Sequence, residues 1–160
     1  MEITDKVDSD LKSQLAKLEA ELRSARAEIG NLQDITCPII PRPGSIPQIE
    51  GIDIYGESIQ LNGPLGGDHI IFIDFKKRFD LEERMKRART AGKESIVKQL
   101  QLTSAKAGIL VADVSGHSVT DAALVGRLHD AFLACALYEI DIYGTITPRL
   151  FETLNLRFYY

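Results

Sequence analysis

The hydrophobic residues near the start of the chain follow a heptad pattern. Within 8–32 they recur at alternating intervals of four and three, at Leu11, Leu15, Leu18, Leu22, Ala25, Ile29 and Leu32. This 3.5-residue period is typical of the a and d positions of a coiled coil. We therefore expect a helix over 8–32 that forms a parallel homodimer through this seam, with Glu21 and Arg26 at facing g and e positions. The alternative is an amphipathic helix packed on its own domain.

A proline-rich stretch separates this helix from the rest of the chain. Residues 33–50 contain Pro38, Pro41, Pro43 and Pro47. Proline interrupts helices and lacks a backbone donor for sheet pairing, so this stretch is predicted to be a stiff linker leading into the next domain. The predicted organisation is thus a coiled-coil helix at 8–32, a linker at 33–50 and a domain at 51–160.

Two mostly buried strands are predicted in that domain, each beside a carboxylate. The apolar run 69–75 follows Gly66, Gly67 and Asp68, and the apolar run 108–112 leads into Asp113. A small-residue turn follows at Ser115-Gly116. Binding and catalytic groups are common at strand ends beside turns, but an aspartate there also caps helices or closes turns. The alternating segment 52–55 is predicted to be a further strand.

Helical spacing of apolar residues predicts the remaining elements. One helical run covers 79–102 and is divided near Gly92, and a final amphipathic helix covers 148–160. The helix at 118–137 begins with Ser118 and Asp121 in a capping-box-like arrangement. His129 borders the apolar stripe of that helix, and we interpret it as a packing residue.

Composition indicates a soluble, cytoplasmic protein with a core of its own. Hydrophobic residues make up 44% of the 160 positions, which is enough for one packed domain. The only cysteines, Cys37 and Cys135, do not form a disulfide framework and are expected to be reduced. The polar, acidic N-terminus does not resemble a signal peptide, and no apolar run approaches the roughly 20 residues of a membrane helix.

The charge is distributed unevenly along the chain. The net charge is −4, which argues against nucleic acid as a partner. Segment 76–106 nevertheless holds ten of the nineteen Lys and Arg residues and only four acids. This basic segment is either a solvated helix surface or a surface that attracts an acidic partner or a product anion.

Four motifs occur in a recognisable order. They are Pro43-Gly-Ser-Ile-Pro-Gln-Ile-Glu-Gly-Ile-Asp53, Gly66-Gly-Asp68, Ala112-Asp-Val-Ser-Gly-His-Ser118 and Leu154-Asn155. In this order they resemble the SpoIIE/RsbU-type bacterial serine/threonine phosphatases of the metal-dependent PPM superfamily. The resemblance runs from about residue 35 to the end of the chain.

The resemblance implies an α+β fold, a PPM-type α-β-β-α sandwich, and a site with two Mn²⁺ or Mg²⁺ ions. Asp68 would be one ligand, Asp113 would bridge both ions, and the carbonyl of Val114 would add a backbone ligand. Hard cations prefer such oxygen ligands, and two of them activate a water for in-line attack on phosphorus. The implied substrate is a phosphoserine or phosphothreonine regulatory protein, such as an anti-sigma factor antagonist.

The chain also departs from the family pattern. Ile71 occupies the place of a second acidic residue, the nearest acid being Asp74, and Ser118 replaces a glycine. His117 is not assigned as a general acid. The family's later aspartates have no counterpart before residue 160, so we expect the N-terminal part of a phosphatase domain that is inactive, or nearly so, alone. The alternative is a non-catalytic dimeric signalling or scaffold module that binds a regulatory partner.

Overall fold

The chain forms two compact units, which are described separately. The computed structural model describes residues 2–41, 44–59, 66–116 and 119–159. One unit is Met1–Pro38 and the other is Ile39–Tyr160. The second unit combines helices with a two-stranded antiparallel sheet and is therefore of the α+β class. Within the described residues, no helix has both the length and the apolar character needed to span a membrane.

The first unit is a single long helix, α1 (Glu2–Thr36). It extends beyond the predicted 8–32 at both ends and covers the first four residues of the predicted linker. Gly30 lies within it, because one glycine costs only about 1 kcal/mol in a helix whose other residues favour helical structure. A short 3₁₀ turn, Cys37–Ile39, follows where Pro38 prevents the α-helix from continuing.

The sheet of the second unit consists of β1 (Asp68–Asp74) and β2 (Ala107–Asp113). They pair along their full lengths, from Asp68 opposite Asp113 to Asp74 opposite Ala107. Side chains alternate between the two faces of β1, and His69, Ile71 and Ile73 lie on the buried inner face. The outer face carries the two aspartates that lie opposite each other.

Three helices connect the two strands, namely α2 (Phe75–Arg78), α3 (Leu81–Thr90) and α4 (Glu94–Thr103). The predicted division of this helical run is confirmed at Gly92, which has a φ of 69°. The Asp80 carboxylate caps α3 by accepting a hydrogen bond from the Glu83 backbone N–H at 3.3 Å. The connection is therefore ordered helix rather than a short hairpin.

Two further helices follow β2, namely α5 (Val119–Tyr143) and α6 (Arg149–Tyr159). Helix α5 continues six residues beyond the prediction and ends at Gly144, whose φ of 71° suits a helix C-terminus. The Thr103 hydroxyl donates to the Gly144 carbonyl at 2.8 Å, which attaches the end of α4 to this turn. The buried core between the inner sheet face and these helices includes Ile73, Leu81, Leu100, Val125, Ile140 and Leu150.

The predicted strand at 52–55 is wrong. The structure has only an isolated bridge between Ile49 and Ile52, across a turn in which Gly51 has a φ of 80°. The segment that follows lies on β1 without pairing as a ladder. A Cβ at Gly56 would be 3.1 Å from the ring of Phe72, and the Ser58 hydroxyl donates to the Asp68 carbonyl at 3.2 Å. Ile52 and Tyr55 are 59% and 82% exposed, so the alternating pattern there does not correspond to a covered strand face.

Candidate functional site

Asp68 and Asp113 lie directly opposite each other at one end of the sheet. The backbone N–H of Val114 donates to the carbonyl of Gly67 at 3.0 Å, so the neighbouring 67/114 pair is hydrogen-bonded. Asp68 and Asp113 therefore form a non-hydrogen-bonded pair, the type in which side chains approach most closely, with Cβ atoms about 4.5–5.5 Å apart. Both side chains are exposed on the outer face. The register thus brings together the two carboxylates that the sequence predicts as metal ligands.

Gly67, at the start of β1, is in close contact with the turn that follows β2. Gly66 and Gly67 are buried. A Cβ at position 67 would collide with the carbonyl oxygen of Val114 and would lie 2.7 Å from that of Gly116. Only a residue without a side chain allows the turn after β2 to approach the start of β1 this closely. The predicted backbone ligand, the carbonyl of Val114, is directed at Gly67 in this arrangement.

The turn after β2 also contacts the start of helix α5. Gly116 has a φ of 126°, and a Cβ there would collide with the carboxylate of Asp121. Asp121 lies in the first turn of α5, where a negative charge is favoured by the helix dipole. The other residue of the predicted capping box, Ser118, and also His117, lie outside the described residues.

The donor set of the carboxylate pair fits a hard divalent cation. Two like charges directly opposite each other on a sheet repel, and a cation between them removes the repulsion. Carboxylate oxygens are also the ligands that Mn²⁺ and Mg²⁺ prefer. Within the described ranges, no group of three or more His, Cys, Asp or Glu side chains is placed to hold an ion. The described residues therefore bring two carboxylates together without a third His, Cys, Asp or Glu side chain beside them.

Asp74 is at the opposite end of β1 and has a different role. Its carboxylate caps helix α2 by accepting a hydrogen bond from the Lys77 backbone N–H at 3.1 Å. It also lies 3.4 Å from the Lys77 ammonium. The acid nearest to the family's second acidic position is thus a helix cap and does not extend the carboxylate pair.

The outer face beside the carboxylates is apolar. Ile109 and Val111 of β2 are 52% and 72% exposed. Ile70 and Phe72 of β1 lie opposite them and are partly covered where Gly56 rests on the Phe72 ring. A group that approaches the carboxylate pair along this face therefore meets an exposed apolar surface on the side of β2.

A partly buried histidine pair, which the sequence interpretation missed, joins β1 to α5. His69 follows Asp68 but lies on the inner face, where it is 4% exposed. Its Nε2 is 2.8 Å from Nδ1 of His129, and the rings are 5.1 Å apart at a tilt of 58°. Two sequence features could have predicted this contact. Strand alternation places His69 on the same face of β1 as Ile71 and Ile73, and His129 borders the apolar stripe of its helix.

Burial lowers the pKa of both histidines. The pKa of His69 falls to about 4, mainly because burial disfavours the charged imidazole and secondarily because His129 lies beside it. The pKa of His129 is lowered mainly by burial, with an opposing effect of Asp130 and a reinforcing effect of Arg78. Both rings are therefore neutral at pH 7, and one donates its N–H to the other.

Comparison with known proteins identified no relative. No protein-family model, no curated protein and no solved structure matches the chain. The functional assignment therefore depends on the order of the sequence motifs and on the geometry at Asp68 and Asp113.

Proposed function

We propose that the chain is part of a metal-dependent phosphoprotein phosphatase in which Asp68 and Asp113 are ligands of Mn²⁺ or Mg²⁺. The observation that carries the proposal is their position as a directly opposed pair on one face of the sheet. The two residues are distant in sequence, and both belong to motifs that resemble the SpoIIE/RsbU-type family. By that resemblance, Asp113 would be a ligand shared by the two ions, and the Val114 carbonyl would add a backbone ligand.

In this site the protein would hold two negatively charged carboxylates, those of Asp68 and Asp113, in fixed positions. The strand ends hold both carboxylates on a paired backbone, and the Gly67 contact fixes the turn that carries Val114. Two carboxylates alone would repel a phosphate group, so the site needs cations to bind a phosphorylated substrate. Bound divalent ions would neutralise this charge and activate a water for attack on phosphorus.

The proposed substrate is a phosphoserine or phosphothreonine protein in a bacterial signalling pathway, such as an anti-sigma factor antagonist. This part of the proposal follows from the family resemblance, as does the cytoplasmic location. The apolar surface of Ile109 and Val111 beside the carboxylates suits a protein substrate, since it offers contact area for side chains that flank the phosphorylated residue.

Hydrolysis of a phosphoserine peptide by the whole protein that contains this chain tests the proposal. We expect phosphate release that requires Mn²⁺ or Mg²⁺, is abolished by EDTA, and falls at least about a hundredfold in Asp113→Asn. Asp10→Asn removes the same charge from an exposed position on helix α1, outside the four motifs, and should retain activity. Unchanged turnover in Asp113→Asn, or full turnover in EDTA, would refute the metal assignment.

The alternative function is a dimeric signalling or scaffold module, and helix α1 would form the dimer in it as in the enzyme. Its heptad residues Leu11, Leu15, Leu18 and Leu22 are 51–63% exposed, as expected of a seam that a second helix covers. Under this proposal the second unit binds a regulatory partner without hydrolysing phosphate. Partner binding that is equally tight in Asp113→Asn and in EDTA, with no phosphate release by the whole protein, would favour the scaffold over the enzyme.

A further inference from the structure

A cleft lies in the basic part of the second unit, away from the carboxylate pair. It is formed by α3, α4 and α5 and has a volume of about 220 Å³. Its floor is apolar and includes Ala88, Leu100 and Ile140, of which Leu100 and Ile140 are each 1% exposed. Its rim is mainly cationic, with Arg84, Arg87 and Lys93 against the single carboxylate of Asp141. A pocket of this size accommodates one aliphatic side chain.

Arg84 has a structural role in this cleft. Its guanidinium forms an ion pair with Asp141 of α5, and its Nε donates to the carbonyl of Phe79 at 2.5 Å. Burial lowers the pKa of Arg84, and the nearby positive charge of Arg87 lowers it further. Arg84 therefore joins α3 to α5 and does not need another partner.

Arg87 and Lys93 are available to an incoming ligand. The Nε of Arg87 is 4.0 Å from Glu83 in an exposed pair, an arrangement that contributes little and is easily replaced. Lys93 directly precedes α4 and is exposed, and no carboxylate of the described residues lies within ion-pair distance of its ammonium. The side chains of Arg87 and Lys93 are thus two cationic groups at the rim of an apolar pocket, and both can bind an acidic ligand.

We propose that this cleft binds an acidic segment of a partner protein, with an aliphatic side chain in the pocket and flanking carboxylates at Arg87 and Lys93. Charge complementarity and the apolar floor together favour such a segment. A nucleic acid strand would need a continuous basic groove, whereas this site is a single pocket in a chain with a net charge of −4. The proposal does not depend on the metal site.

A fluorescein-labelled peptide of glutamates around one central leucine tests the proposal by fluorescence anisotropy at low salt. Arg87→Glu with Lys93→Glu should weaken binding about tenfold or more. The matched control, Lys86→Glu with Lys98→Glu, makes the same charge change on α3 and α4 but outside the cleft, and should weaken binding less than threefold. Replacing the leucine of the peptide by serine should weaken binding about fivefold, because the pocket floor is apolar.

Three results would overturn the proposal. One is equal weakening by the cleft variant and the control, which would show binding to the general positive charge. Another is equal affinity for the leucine and serine peptides. The third is tighter binding of a single-stranded oligonucleotide that the cleft variant abolishes. Circular dichroism of each variant confirms folding, and Arg87→Gln with Lys93→Gln, which should weaken binding in the same order, replaces the charge reversal if that variant unfolds.

Discussion

Nε2 of His69 and Nδ1 of His129 lie 2.8 Å apart, so a hydrogen bond between two imidazoles joins strand β1 to helix α5. His69 follows Asp68 in the chain, and its ring is buried behind the sheet. This partly buried contact joins the strand that carries Asp68 to helix α5.

The stability of the second unit should fall as the pH is lowered below about 6.5. The pKa of His69 is about 4 in the folded protein against 6.5 in the unfolded chain, so between these values the unfolded chain binds more protons. Stability is then fully present above 6.5 and is lost towards 4. For His69 alone we expect a decrease of about 1 kcal/mol in the free energy of unfolding from pH 7 to pH 5.5.

Urea denaturation at these two pH values measures the effect. His129, whose pKa is also lowered, adds a change of the same sign, while Asp130 and Arg78 modify it in opposite directions. His129→Gln removes one titrating ring and should reduce the decrease between pH 7 and pH 5.5. A pH dependence identical to that of the original chain would show that the histidine pair does not cause it.

Replacing Asp113 by asparagine should change stability with opposite signs in the absence and presence of a divalent ion. Without ions the variant removes the repulsion from Asp68 and should be more stable by about 0.5 kcal/mol. With millimolar Mn²⁺ the original chain should be stabilised and the variant should not. Thermal unfolding in EDTA and in Mn²⁺ measures both effects, and Asp10→Asn is the control of equal charge.

Gly67→Ala should destabilise the second unit by about 2 kcal/mol or more, because the added Cβ collides with the backbone of Val114. Gly92→Ala is an informative comparison. Gly92 has a φ of 69° and open space around its Cα, so its substitution should cost only about 1 kcal/mol of conformational strain. Chemical denaturation compares the two, and a Gly67 variant no less stable than the Gly92 variant would contradict the close contact.

Leu15→Asp with Leu22→Asp should make the chain monomeric, because both residues lie on the exposed heptad seam of α1. Ser13→Asp with Ala20→Asp adds two charges on the opposite side of the helix and should leave the proposed dimer intact. Multi-angle light scattering gives the mass of each. A dimer that survives the leucine substitutions would place the interface elsewhere.

The local sequence was sufficient to predict most elements of the fold. Strands β1 and β2 differ from the predictions by only one residue at each end, because both apolar runs are bounded by aspartates and small residues. The C-terminal ends of α1 and α5 lie beyond the predicted ends, since each depends on a later feature, Pro38 for α1 and Gly144 for α5. The segment 52–55 was misassigned because alternation of apolar and polar residues does not by itself show that a pairing strand is present.

The candidate site was predicted in part. The sequence indicated Asp68 and Asp113, but their direct opposition depends on strand register, which local patterns do not determine. The contact of Gly67 with Val114 and the pairing of His69 with His129 join residues distant in the chain. Such contacts depend on how the elements pack in three dimensions. The motifs therefore identified residues of the site but not the contacts that position them.

The register of the sheet makes the carboxylate pair sensitive to errors in folding. Helices α2, α3 and α4 lie between the two aspartates in the chain, and a slip of one residue in strand pairing would turn Asp113 to the inner face, towards His69. A cation that needs both carboxylates binds only the correctly aligned strands. The free energy of ion binding would therefore stabilise one pairing register of β1 and β2 over the others. The ion concentration during folding would then influence the fraction of the protein that acquires the native sheet.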